Sequence, residues 1–237
     1  MSSDTATEDT IVIGRRFNGP PDSGNGGYVA GLVAARIEGP AEVTLRVPPP
    51  LETPLTFAQD GDAIRLLDGA RLVAEGTPTT FNLDIPPAPT LAIAETAVPN
   101  YTGFDKHSFP SCFVCGPTRA EGDGLRIFAG EYDGPGRVAA PWVPHPDLTV
   151  DGRIPVAIHW AALDCPGAFA VMERETPVVL GRIAAEIRRP VEPNENCVVM
   201  GWAIRSEGRK HYAGTALFKE SGELAARAFQ TWIEPKS

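Results

Sequence analysis

The sequence predicts an α+β chain in which a long antiparallel sheet wraps an apolar helix, and it predicts that arrangement twice. Three observations carry this. Ile158–Met172, IHWAALDCPGAFAVM, is apolar on nearly every side at helical spacing, which marks a helix buried inside a domain. Four strand-like segments follow it, at Val178–Arg189, Asn196–Arg205, Lys210–Lys219 and Glu223–Ile233. The amino-terminal half repeats the order: a strand, a loop, an apolar helix, then a meander of strands.

In chain order, residues 1–9 are polar and acidic and read as a disordered tail rather than a signal peptide. Thr10–Phe17 is a short strand. The turn-rich loop Asn18–Gly27, NGPPDSGNGG, delivers the chain into a helix over Gly26–Ile37, with Tyr28, Leu32 and Ala35 on its apolar face and Gly39–Pro40 as its stop. Strands follow at Glu42–Val47, Leu55–Gln59 and Ala63–Leu67. A hairpin at Asp68–Gly69 leads into Arg71–Glu75, with a fifth segment around Thr79–Leu83. Asp84–Pro99 carries Pro86, Pro87, Pro89 and Pro99 without a regular period and reads as an extended linker. Phe109–Phe128 is rich in cysteine and glycine and ends as a strand. Arg137–Trp142 is a strand and Pro144–Arg153 a loop before the Ile158 helix.

The expected division is therefore a tail (1–9), a first half (10–84), a linker (85–108) and a second half (109–237). Local echoes support an internal duplication. AEVTLRVPPPLETPLT follows the first helix as AAEIRRPVEPNENCVV follows the second, and DGARLVAEG is answered by SGELAARAF.

The chain of 237 residues has 43% hydrophobic residues and a formal charge of −9, the composition of an ordinary globular protein. An acidic balance argues against non-specific nucleic-acid binding, which calls for a basic stripe. No apolar run reaches the roughly 18 residues that span a bilayer. Four cysteines are too few for a disulfide scaffold of this size, so cytoplasmic residence is expected.

Asp164 is the carboxylate in the apolar Ile158 helix, and burying it costs several kcal/mol, roughly, unless it is paired or lines a site. It either orients and activates a water, or caps a new helix whose first turn holds Pro166. Gln230 shares a strand face with Leu224, Ala226, Ala228 and Trp232 and is expected to be buried with partners. Those partners are either the water on Asp164 or a structural neighbour. Asn25-Gly26-Gly27 opens the first helix. Its free N–H groups can face a developing oxyanion, or Asn25 can be a plain cap.

Cys112-x-x-Cys115 suggests zinc or redox chemistry, but two thiols fall short of the four ligands of a structural zinc site. Cys165 and Cys197 could join only through folding, and the pair is expected to be a tight loop of thiols with no metal. His145, His159 and His211 are scattered, with His159 a candidate pocket wall. Arg182, Arg188, Arg189, Arg205, Arg209 and Lys210 are candidates for a phosphate clamp, or simply solvated charges.

A helix wrapped by a meander, twice over Ile11–Ile233, resembles the double hotdog of acyl-CoA thioesterases. CFVCGPTRAEGDGLRIF resembles the CxxCG…GL stretch of phenylacetate-pathway-type hotdog thioesterases, and GRKHYAGTALFKESGELAARAFQTWI resembles the last two strands of that fold. The resemblance implies hydrolysis of an acyl-CoA or related carrier thioester, without a cofactor, in a dimer of double hotdogs. In the acyl-CoA thioesterase II group an Asp on the second helix, a Thr on the next strand and a Gln on the last strand orient the attacking water. Asp164 and Gln230 match the Asp and the Gln. PVVLGRIAAEI offers Leu180 or Gly181 where the Thr belongs. Asn25 stands where His-Gly-Gly is common in hotdog enzymes. The resemblance leaves two other readings, a non-catalytic acyl-CoA binder and a structural duplication whose pocket is filled by its own side chains.

Overall fold

The computed structural model describes residues 9–172 and 177–235. Of the expected tail only Asp9 falls within them, and Arg36 holds it at 2.6 Å.

Strand β1 (Thr10–Val12) is short, because the chain then turns through a 3-10 segment at Arg15–Phe17. Helix α1 (Gly26–Ala34) begins where Asn25 accepts the Tyr28 N–H through its side chain at 2.9 Å. It ends three residues before the expected Ile37. Arg36 and Ile37 bond back three residues to Val33 and Ala34, and this tightened turn leads into Gly39 at φ +78°. Strands β2 (Ala41–Leu45), β3 (Pro54–Asp60), β4 (Ala63–Asp68) and β5 (Arg71–Pro78) follow, with Gly69 at positive φ in the β4–β5 turn. The segment expected around Thr79–Leu83 is not a strand.

The second half opens with β6 (Gly130–Glu131) and β7 (Arg137–Trp142). Helix α3 (Val156–Val171) comes next, then β8 (Val179–Ile187), β9 (Cys197–Glu207), β10 (Lys210–Lys219) and β11 (Leu224–Ile233). Between the halves lies a third helix, α2 (Leu91–Ala97), in the stretch read as bare linker. Thr90 caps it, and Ala94, with Leu83, Ile85 and Leu91, packs on Ala139, Val198, Met200, Trp202, Ala216 and Phe218. The segment therefore covers one face of the second half's sheet. Phe109–Phe128 does not end as a strand: Leu125 and Ile127 donate to Phe113 O and Val114 O, folding the chain onto the cysteine turn.

The eleven strands among the described residues form one sheet, in the order β1-β3-β4-β5-β2-β8-β11-β10-β9-β7-β6. The antiparallel pair β2–β8 joins the halves, in the register Ala41↔Ala185 to Thr44↔Arg182. Outward from that junction, β2-β5-β4-β3-β1 on one side matches β8-β11-β10-β9-β7 on the other. The sequence echoes fall at matching positions in this order, in β2 and β8 and in the β4–β5 and β10–β11 hairpins.

The two apolar helices pack against each other through glycine. A Cβ on Gly27 would lie 2.5 Å from Asp164 Cβ, and one on Gly31 would lie 2.5 Å from Ala157 Cα. Only hydrogen fits there. α3 is buried over most of its length, and that total burial explains why its apolar residues surround it instead of forming a stripe.

Candidate active site

Asp164 lies mid-helix, with α3 continuing through Pro166, so it does not cap a new helix. It is 2% exposed. The glycine notch brings its carboxylate to the amino end of α1, where Oδ2 accepts the Asn25 side-chain N–H at 2.7 Å and the Gly27 backbone N–H at 3.2 Å. The α1 N-terminus thus holds a carboxyl group supplied by α3. Oδ1 has no hydrogen-bond partner among the described residues. Burial pushes the Asp164 pKa up to about 7, helped by the neighbouring Cys112 and opposed by the Gly27 and Asn25 donors.

This carboxylate lies at a cavity of about 280 Å³ with mainly apolar walls. Gly24, Asn25, Gly26 and Leu45 line it from the first half; Cys165, Ala168, Phe169, Leu180 and Gly181 line it from the second. A cavity beside Asp164 is what a self-filled duplication would lack, and that reading is set aside. Asn25 and Gly27 bond the Asp164 carboxylate, and Gly26 between them lines the cavity. Gly27 N–H is taken by Asp164 and Tyr28 N–H by Asn25, leaving Gly26 N–H without an acceptor among the described residues.

Gln230 is fully buried and sits behind α3, off the cavity wall. Its Nε2 donates to Leu163 O at 2.6 Å and to Asp164 O at 3.2 Å, while its Oε1 accepts the Trp232 indole N–H at 2.8 Å. Pro166 has no N–H to offer Ala162 O four residues back, and the Gln230 amide adds a side-chain donor to the next two carbonyls, Leu163 O and Asp164 O. Gln230 and the Asp164 carboxylate are therefore not brought to one water by direct contact; the link runs through the Asp164 main chain. A threonine that the sequence reading missed does reach Gln230. It is Thr215 on β10, fully buried, with Oγ1 3.5 Å from Nε2. Leu180 and Gly181, the two residues offered at the place of the thioesterase II threonine, both line the cavity without a hydroxyl.

His159 is not a pocket wall. Val191 N–H donates to Nε2 at 3.0 Å, which puts the ring proton on Nδ1, 3.0 Å from Pro155 O. Burial holds its pKa below the ordinary histidine value. The arginines considered for a phosphate clamp are spread over the surface. Arg182, Arg188, Arg189 and Arg205 pair with Glu42, Glu186, Glu223 and Glu207, and Arg209 donates to Glu234 O. Among the described residues, Arg46 is the arginine on the cavity lining, 3.5 Å from Glu75.

Cys112, Cys115 and Cys165 also reach the cavity, with His107 beside them. The last of these drew no notice in the sequence, although it lies five residues before Cys112. Hydrogen bonds from the Cys115 and Cys165 thiols push the Cys112 thiol well down, while the other two are pushed up.

No protein-family model matches this chain, and no curated protein matches it by sequence. Solved structures do. The tesB protein of Mycobacterium avium subsp. paratuberculosis aligns at TM-score 0.63 and 14% identity, covering 96% of this chain and 92% of that one. An acyl-CoA thioesterase II of Mycobacterium marinum aligns at TM-score 0.57 and 12% identity, over 89% and 90%. A protein of unknown function with a hot dog fold from Alicyclobacillus acidocaldarius aligns at 0.59 and 10%, over 96% and 93%. At these identities the likeness is one of fold. The chain has the hotdog fold, the fold of these thioesterases. Among the described residues no helix is long and apolar enough to cross a membrane.

Proposed function

We propose that this chain is a double hotdog, an internal duplication of halves 10–84 and 109–237 joined by 85–108, that hydrolyses the thioester of an acyl-CoA or a related acyl carrier. One observation carries the reading: a buried carboxylate from one half meets the helix N-terminus of the other at an apolar cavity. The acyl chain occupies that cavity. Asp164 Oδ1, the carboxylate oxygen without a protein partner, holds the attacking water and takes its proton as the new C–O bond forms. Gly26 N–H, at the positive end of α1, donates to the carbonyl oxygen as it gains charge. The tetrahedral intermediate then expels the CoA thiolate, which leaves with the proton. Gln230 acts as a positioning residue, fixing the α3 backbone at Asp164. α1 carries no carboxylate within its own span, so one site per chain is expected.

The proposal includes a cytoplasmic setting and pairing of two chains, which light scattering after size exclusion tests. A second reading, an acyl-CoA binder without turnover, is favoured by Leu180 in the threonine's place and by the full occupation of Gln230. The deciding experiment is release of free CoA thiol from short, long and aromatic acyl-CoAs, with wild type and Asp164→Asn. Loss of about 10²–10⁴-fold in kcat in a folded variant is expected for removal of a general base. Binding of acyl-CoA without turnover by the wild type would select the second reading.

A further inference from the structure

The cavity wall carries a cluster that thioester hydrolysis does not use. Cys112 and Cys115 sit on one tight turn, closed by Gly116 N–H on Cys112 O at 2.9 Å. Cys165 reaches the same point from α3. All three are buried free thiols, their sulfurs lie within 4.8 Å of one another, and Cys112 and Cys165 are 3.7 Å apart. Tetrahedral zinc with Zn–S bonds of about 2.3 Å holds neighbouring sulfurs about 3.8 Å apart. The trio is therefore at, or about 1 Å from, the spacing of a thiolate cage.

The backbone under the cluster is fixed. Phe113 N–H donates to Asn18 O at 2.7 Å, Ile127 N–H to Val114 O at 2.9 Å, and the buried Tyr101 hydroxyl to Cys115 O at 2.7 Å. Ligands on a rigid support need little rearrangement to bind. The outer partners also suit thiolates. Phe109 N–H donates to His107 Nδ1 at 2.9 Å, so the neutral ring carries its proton on Nε2, 3.3 Å from Cys115 Sγ. His107 is thereby a hydrogen-bond donor to sulfur and not a fourth ligand. The Asn25 side-chain N–H lies 3.9 Å from Cys112 Sγ. Such N–H···S contacts orient ligands and disperse their charge around metal sites.

We propose that Cys112, Cys115 and Cys165 bind one zinc ion, each releasing its thiol proton to solvent, with the fourth coordination position open to the cavity. Three protein ligands and one open position is the pattern of zinc sites that take up water or another exogenous ligand. The sequence alone offered only the Cys112–Cys115 pair; α3 brings the third sulfur from 53 residues away. This assignment stands whether or not the chain hydrolyses thioesters.

The test uses the full chain, purified under reducing conditions, loaded with zinc and passed through gel filtration. Elemental analysis should find one zinc per chain, and X-ray absorption should count three sulfurs at about 2.3 Å and one lighter atom. Cobalt(II) in place of zinc should give intense thiolate-to-metal charge-transfer bands. Cys112→Ser, Cys115→Ser and Cys165→Ser should each lose the retained metal, while Cys197→Ser keeps it. His107→Ala should keep the stoichiometry with affinity lowered about 10–100-fold. Absence of retained zinc in the wild type, fewer than three sulfurs, or a Cys112–Cys165 disulfide in the reduced preparation would overturn the assignment. A buried serine variant can fail to fold; the sulfur count on the wild type decides without it.

Discussion

Gly31→Ala tests the helix contact on which the site is built. A Cβ at this position would stand 2.5 Å from Ala157 Cα, 2.8 Å from Trp160 Cβ and 3.2 Å from Ala157 O. Ordinary contact begins near 3.4 Å, so α1 and α3 must part by about 1 Å. Overpacking of this kind costs about 1–3 kcal/mol, and obstruction by main chain instead of a flexible side chain puts it near the top of that range. Alanine regains about 1 kcal/mol of helix propensity over glycine. The net expectation is a loss of about 2 kcal/mol, or a Tm lower by about 4–8 °C for a domain of this size. The Asn25–Asp164 bond lies on the same interface, and a 1 Å displacement there is enough for about a 10²-fold loss of turnover. Differential scanning calorimetry and the acyl-CoA thiol assay measure the two effects. A Gly31→Ala protein that melts at or above wild type would refute the close packing, since propensity alone predicts that outcome.

Other perturbations separate scaffold from chemistry. Gln230→Leu strips the α3 carbonyls of Leu163 and Asp164 of their side-chain donor and leaves the Trp232 indole unpaired. At about 1–3 kcal/mol for the buried indole left without an acceptor, a Tm within 1 °C of wild type, measured by calorimetry, would contradict the assigned bonds. His159 has a folded-state pKa below its unfolded value of about 6.5, so its contribution to stability is full above that pH. It is lost as pH falls from about 6.5 toward the folded pKa, because only the unfolded chain takes up the proton readily. Asp164, raised to about 7, titrates in the same window with the opposite sign, so the test is a difference. In urea titrations between pH 7.5 and 5.5 wild type should lose stability relative to His159→Gln as pH falls, and parallel curves would exclude a His159 contribution.

The helices and most strands were legible because total burial and two-residue alternation leave plain marks in the chain. α2 left none. It is seven residues long, and what holds it is the sheet face under Ala94, a partner more than 40 residues away in sequence. Pro166 misdirected the reading of Asp164 toward a cap, since local rules end a helix near proline. The helix continues here, and Gln230 of a different strand bonds the Leu163 and Asp164 carbonyls beside the proline turn. Asn25, Gly26 and Gly27 drew attention in the sequence through their glycines. That Gly27 N–H would be taken by Asp164 depended on a helix crossing that no local pattern encodes. The thiol cluster was hidden for the same reason. Cys112-x-x-Cys115 shows its pair openly, and Cys165 joins only once α3 is in place.

The unbroken sheet across β2 and β8 means that every residue of the cleft occurs once per chain. In an assembly of two identical chains, one substitution lands twice, and a single helix must serve as both notch and acid. Here the labour is divided: α1 keeps the glycines that admit close approach, and α3 keeps the carboxylate that fills the space. Each can change without dragging a copy of itself along. Such a chain can change one wall of its cleft while the contacts of the opposite wall stay as they are.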